Sequence, residues 1–222
     1  MRFHWLTTNP YMRRRETSIL GGLPLTGRIL EVGCGEGNNL VVRGVDAVGI
    51  DLSRTSLRTA VTRSRGPFAQ ADAARLPFAE GAFDTVFARD LLHHVDDARA
   101  VVAEMVRVCR PGGKVCILDD NGRNTILRLF ATLDPCERKI ASQTPDSLAA
   151  LFHGLPVGPV ALEMREPTLA YRALLHHRFG FPSLGRSALF ARVMDRVIAA
   201  FEKGSDRGTW AYVSLTATRV PA

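Results

Sequence analysis

Between Arg28 and Asp120 the sequence alternates short apolar runs with helical stretches, and no tight-turn pair joins one run to the next. The runs are Arg28–Val32, Ala47–Ile50 (ending in Asp51), Phe68–Gln70, Phe83–Ala88 and Lys114–Leu118. They are apolar throughout rather than alternating in and out, as strands buried on both faces require. Strand–helix order without hairpins points to parallel strands joined by crossover helices on both faces of the sheet. The fold class expected is therefore α/β, doubly wound.

The helices carry their own punctuation. Pro10–Gly21 opens on proline and closes on Gly21-Gly22. A short helix spans Asn38–Arg43, Ser53 caps a helix running to about Ser64, and Ala98–Cys109 is stopped by Pro111-Gly112-Gly113. Beyond Asn121 the pattern loosens. A helix over Thr144–Phe152, a strand near Val160–Met164, an amphipathic helix over Ser187–Phe201 and a last strand over Trp210–Thr218 are expected. There is no internal repeat and no low-complexity linker, so residues 1–222 are read as one domain.

An apolar share of 46% with 23% charged residues is ordinary for a globular chain. No apolar run reaches the roughly 18 residues that span a bilayer. Met1-Arg2-Phe3-His4-Trp5-Leu6 has no apolar signal region, so a cytoplasmic location is expected. Cys34, Cys109, Cys116 and Cys136 form no Cys-x-x-Cys pair and have no histidines at ligand spacing, so no metal site is expected. Cys109 and Cys116 lie in apolar runs and read as small buried side chains. The formal charge of +7 raises nucleic acid or an anionic membrane as partners. Scattered arginines dilute that signal, the only dense run being Arg13-Arg14-Arg15, and they do not by themselves support a nucleic-acid partner. Nothing in the sequence sets an oligomeric state.

The chemistry gathers where Ile29-Leu30-Glu31-Val32 runs into Gly33-Cys34-Gly35-Glu36-Gly37. In a doubly wound sheet, ligands bind beyond the carboxyl ends of the strands, and glycines there let a ligand lie against bare backbone. Glu31 precedes the loop, Asp51 ends the second run, and Asp72 follows the third. A carboxylate in the place of Asp51 suits a ribose diol. The dinucleotide fingerprint needs Gly-x-Gly-x-x-Gly, whereas the spacing here is Gly-x-Gly-x-Gly, and Glu31 would repel a phosphate. A ligand carrying an amine and a sulfonium fits better.

The stretch Ile29–Gly37 resembles motif I of the class I S-adenosylmethionine-dependent methyltransferases. The resemblance continues through Val48-Gly49-Ile50-Asp51-Leu52-Ser53, Ala71–Phe78, Phe83-Asp84, Leu92-His93-His94-Val95 and Val108–Gly113. The variant is most similar to the small-molecule branch that includes the ubiquinone and menaquinone biosynthesis methyltransferases. The resemblance implies a mostly parallel, Rossmann-like sheet of seven strands and S-adenosyl-L-methionine as cofactor. It also implies a helical cap (1–26), a cofactor-binding core (27–120), an acceptor-side lid (121–205) and a last sheet strand (206–222).

By the same resemblance, Glu31 and the loop Gly33, Cys34, Gly35 and Gly37 surround the methionine end of the cofactor. Asp51 takes the ribose hydroxyls, Leu52 packs on the adenine, and Asp72 with the Ala73 backbone N–H reads the adenine edge. Arg89 lies near the sulfur at the substrate mouth, and Tyr11 and Arg15 close over the cofactor carboxylate. One departure is visible: the helix after the glycine loop is about one turn shorter than in the family.

Methyl transfer needs alignment more than functional groups, although an acceptor proton can require a base. His93 and His94 are the nearest candidates, and packing or capping of the following helix is the alternative for both. Leu189, Val193, Val197 and Phe201 recur at four-residue spacing, normally a core-facing stripe. With Arg186, Arg192 and Arg196 the same stripe suits a membrane surface. His176-His177 beside Arg178 reads as an exposed helix end or a contact for an anionic substrate. The function expected is methylation of an O, N or C atom of a small-molecule acceptor. The rivals are a lipid-linked acceptor with peripheral membrane contact, RNA methylation, and a cofactor-binding regulatory protein without turnover. Arg89-Asp90-Leu91-Leu92 stands where base-amino methyltransferases carry Asn/Asp-Pro-Pro-Tyr/Phe, which argues against that RNA chemistry.

Overall fold

A computed structural model describes residues 7–133, 135–176 and 180–221. The amino-terminal segment Met1–Leu6 and the pair His177-Arg178 lie outside the described residues.

The elements run in the order helix α1 (Pro10–Gly21), β1 (Ile29–Val32), α2 (Asn38–Arg43), β2 (Val48–Asp51), α3 (Arg54–Arg63), β3 (Phe68–Gln70), β4 (Phe83–Arg89), α4 (Ala98–Val108) and β5 (Cys109–Asp120). Then come α5 (Thr125–Leu133), a 3-10 segment (Pro135–Ser142), α6 (Pro145–Ala150), β6 (Ala161–Arg165), α7 (Ala170–Leu174), a second 3-10 segment (Pro182–Arg186), α8 (Ala188–Gly204) and β7 (Tyr212–Thr218). Seven strands form one sheet in the order β3-β2-β1-β4-β5-β7-β6. β1 to β5 are mutually parallel, and β7 runs antiparallel between β5 and β6. From β1 the chain winds outward through β2 and β3, then returns to place β4 on the other side of β1. Order reversal of this kind opens a crevice at the carboxyl ends of β1 and β4.

Both faces of the sheet are buried, which accounts for the unbroken apolar runs. Leu30, Val32, Val86, Ala88, Val115 and Ile117 face one core with Val101, Val102 and Met105 of α4. Ile29, Phe87, Cys116 and Leu118 face the other with Tyr11, Met12, Ile19 and Leu20 of α1. Each fully buried Leu or Ile of these layers contributes roughly 1.5–3 kcal/mol.

Local chemistry sets the helix starts. Asn9 Oδ1 accepts from the N–H groups of Tyr11 and Met12, Ser53 Oγ from Ser56 and Thr144 Oγ1 from Ser147. Helix α4 ends at Val108, earlier than the Pro-Gly-Gly stop implies. Cys109 already pairs with Phe83, and the pairing slips before Thr85 meets Lys114, so Pro111-Gly112-Gly113 is a bulge within β5. Asp84 clasps the bulge through Arg110 and the Arg28 N–H.

The C-terminal helix corrects a second expectation. Leu189, Val193 and Phe201 of α8 are exposed, while Met194 and Ile198 are buried. Val197 of the expected stripe does pack on the core, but beside Phe190, Met194 and Ile198, because the Tyr11 ring meets Phe190 edge-on at 5.4 Å and its hydroxyl donates to Asp195 at 3.1 Å. Among the described residues, no helix is long and apolar enough to cross a membrane.

Candidate active site

The loop after β1 is built from left-handed glycines. Gly33, Gly35 and Gly37 have φ of 73°, 51° and 73°, conformations that other residues adopt at a cost. Gly33 N–H and Cys34 N–H both donate to the Ile50 carbonyl of β2, at 2.8 and 2.9 Å. A Cβ on Gly33 would stand 2.6 Å from Leu91 Cδ1, so the loop packs tightly on that side. A Cβ on Gly35 would meet nothing within 4 Å. The bare backbone of Gly35 therefore lines open space.

Asp51, at the end of β2, fixes the shape of this loop. Its Oδ2 accepts from Gly35 N–H and its Oδ1 from Ser53 N–H, both at 2.8 Å. Each oxygen keeps a second lone pair. Leu52, next in sequence, is 70% exposed, a large apolar side chain left bare beside the strand ends. Asp72 is exposed, with Oδ1 accepting from Ala74 N–H at 2.9 Å and holding the turn that carries Ala73. Cys34 is buried beneath the loop, and burial pushes its thiol far above the ordinary range. It is inert packing.

Glu31 is fully buried at the end of β1. Oε1 accepts from Asn39 Nδ2 at 2.6 Å, while Oε2 is buried without a partner. Burial raises its carboxyl to about 8, against the opposing pull of Asn39 and Arg89. A lone buried carboxylate oxygen is costly unless a cation or donor reaches it. Asn39 also accepts from Arg89 Nη1 at 3.1 Å and so bridges the ends of β1 and β4.

Arg89 is buried and faces a dense set of charges. Its Nη2 lies 2.6 Å from Glu16 Oε2, its Nε 3.3 Å from Asp90, and Glu16 Oε1 takes Arg172 Nη2 at 2.7 Å. Burial works against the Glu16 charge, yet the two guanidiniums hold its carboxyl at about 2. Arg89 and Arg172 also lie over the Tyr212 ring at 5.5 and 5.4 Å. The polar ends expected to reach a cofactor carboxylate are engaged elsewhere. Tyr11 bonds Asp195, and Arg15 pairs with buried Glu166 at 2.7 Å, because that carboxylate needs a counter-charge.

The two histidines after β4 differ sharply. His93 is buried, with Nδ1 2.7 Å from Asp119 Oδ1 and Nε2 3.2 Å from Glu137 Oε2. Burial opposes its charge, but the bonds to the two carboxylates carry it to about 11. With both ring nitrogens donating, it has no lone pair for base work. Asp119 is itself fixed by the Leu92 N–H at 2.7 Å. His94 is exposed, its ring 4.0 Å from that of His93, and burial of part of the ring with the His93 charge lowers its pKa below 6.5. His93, His94 and Glu137 bring ligand-type atoms within 4.8 Å of one another.

Asn39, Glu16, Asp119 and Asp90 are the site residues that sequence reasoning passed over. Asp90 and Asp119 left a local signal, as acidic residues directly after β4 and at the end of β5; Asp90 adopts φ 50°, rare outside glycine.

Residues 30–117 match a family model described as a methyltransferase domain. The matched segment runs from β1 into β5 and is similar to methyltransferase domains over the strands that carry the glycine loop. Among sequence relatives of this chain, norajmaline N-methyltransferase of Rauvolfia serpentina is 32% identical over 54% of this chain and 45% of its own. An uncharacterised protein of Mycobacterium tuberculosis is 26% identical over 86% of this chain and 81% of its own. The chain spans about half the length of most of the curated relatives it matches. In fold, the chain resembles a solved Thermotoga maritima structure described as an S-adenosylmethionine-dependent methyltransferase and possible histamine N-methyltransferase. The TM-score is 0.69 at 16% identity, over 96% of this chain and 92% of the other.

Proposed function

We propose that the chain binds S-adenosyl-L-methionine and transfers its methyl group to an oxygen, nitrogen or carbon atom of a small-molecule acceptor. The observation that carries this reading is the buried, unpartnered Oε2 of Glu31 beside a glycine loop whose Gly35 faces open space. That pairing suits a ligand with a cationic end and a body that needs bare backbone.

Glu31 would hold the amino group, Gly33 to Gly37 the methionine chain, Asp51 the ribose hydroxyls through its free lone pairs, and Leu52 the adenine face. Asp72 and the Ala73 N–H would read the adenine edge. The cofactor supplies a methyl group on a sulfonium, so the reaction is an in-line displacement that depends on alignment and exclusion of water. Arg89 and Asn39 act on this site by positioning Glu31 and the end of β4. His94 is assigned as the acceptor of a proton when the acceptor atom must lose one, since its lone pair is free at neutral pH. His93 holds the loop that carries it. The region from Gly122 to Ser205 would form much of the acceptor pocket.

The test is a calorimetric titration with S-adenosylmethionine and S-adenosylhomocysteine, in which one site of micromolar affinity is expected. No heat at millimolar cofactor would overturn the reading. Label from methyl-tritiated cofactor should then enter the small-molecule fraction of an extract. Label in RNA would reassign the acceptor, and binding without any transfer would favour a regulatory protein.

A further inference from the structure

The outward face of α8 is a surface without an intramolecular partner. Residues 189, 192, 193, 196, 200 and 203 share one side of a helix at three- and four-residue spacing. Leu189 is 64% exposed and Val193 49%, with Arg192, Arg196 and Lys203 along their edge. The neighbouring 3-10 segment adds exposed Leu184 and, at its cap, Phe181 at 67%. Among the described residues, the three cations have no carboxylate partner. The acids of the helix lie on its other side, where Asp195 takes Arg14 and Tyr11.

Bulky apolar side chains in a row, flanked by cations and free of acid, are costly to leave in water. The packing stripe one residue over, Phe190-Met194-Ile198, already fastens the helix to α1, so the outward stripe is not needed for folding.

We propose that this face is a peripheral contact for an anionic bilayer. Leu189, Val193 and Phe181 enter the headgroup boundary, while Arg192, Arg196 and Lys203 meet lipid phosphates. Charge complementarity selects this occupant over a second copy of the chain: two such faces would oppose three cations to three, whereas anionic lipid attracts each one. The formal charge of +7 favours the same encounter. α8 is tied through Tyr11 to α1, and α1 through Glu16 to Arg89 at the end of β4. The inference goes beyond methyl transfer, and its test requires no cofactor.

The experiment is co-sedimentation of the full chain with vesicles of phosphatidylcholine alone or with about a third phosphatidylglycerol. Binding to the anionic vesicles only is expected, weakened at least tenfold at high salt as screening shortens the reach of each charge. Arg192→Ala and Arg196→Ala should each weaken it about fivefold, and Leu189→Ser with Val193→Ser should abolish it. All these positions are exposed, so circular dichroism and S-adenosylmethionine binding should match the unaltered chain. No binding to anionic vesicles, equal binding to neutral ones, or unchanged binding by the variants would overturn the proposal. A dimer in sedimentation velocity that the two serine substitutions dissolve would do so as well, by assigning the face to a second copy.

Discussion

Glu16 of α1 and Arg89 of β4 meet at 2.6 Å with both side chains almost fully enclosed, and the second Glu16 oxygen takes Arg172 of α7 at 2.7 Å. One carboxylate therefore joins the amino-terminal helix, the strand end beside the glycine loop and α7. Removing one member of such a set strands buried charge. Glu16→Gln should cost about 3–5 kcal/mol in urea unfolding, and a variant as stable as the parent would show that the set is not a structural tie.

The same carboxylate predicts an acid limit. Its folded pKa of about 2 lies below the ordinary 4.5, so the unfolded chain takes up the proton first as pH falls. The contribution, on the order of 3 kcal/mol, is complete above about 4.5 and is lost as pH drops toward 2. Melting temperatures measured across that window should fall more steeply for the parent than for Glu16→Gln.

Glu31 predicts the opposite slope. With its folded pKa raised from 4.5 to about 8, the folded chain keeps a proton that the unfolded chain has released. Its contribution to stability therefore falls as pH rises through that interval. Glu31→Gln should flatten this part of the melting profile and leave the melting temperature at pH 8 equal or higher. S-adenosylmethionine affinity should meanwhile drop at least tenfold in calorimetry. Unchanged affinity would remove Glu31 from the cofactor site.

Gly35 separates cradle from scaffold. Gly35→Ala should cost only about 1–2 kcal/mol of backbone strain, since its Cβ meets nothing. It should nevertheless weaken cofactor binding by an order of magnitude or more, because the methyl group fills the space. A stable variant that binds normally would show that no ligand approaches there.

The histidines can be read directly by NMR. His93 should keep both ring protons through pH 9, given a pKa of about 11, while His94 should be neutral at pH 7 and titrate below 6.5. An inverted order would withdraw His94 from the base role.

The first half of the fold was legible because double-sided burial writes itself as apolar runs: Ile29–Val32 and Phe83–Arg89 stand within a residue of where the sequence places them. On α8, Val197 packs inward as expected while Leu189, Val193 and Phe201 do not, since spacing alone does not say which of two adjacent rows meets Tyr11. Helix α5 went unread although Asn124 caps it, accepting from the Ile126 and Leu127 N–H groups at 3.1 Å. The glycines and acids of the site were visible as a local pattern. Their supports were not, because Glu16 finds Arg89 73 residues away and Arg172 156 away, and no local periodicity records such a pairing.

Asp51 has a consequence for the proposed methyl transfer. Because it already grips the Gly35 and Ser53 N–H groups, the cradle stands in its receiving shape before any ligand arrives. Cofactor entry and product departure then resemble a key moving in a cut lock, with little ordering entropy to overcome in either direction. Spent cofactor should fit nearly as well as fresh, so the ratio of the two in the surroundings, rather than loop motion, would throttle the reaction.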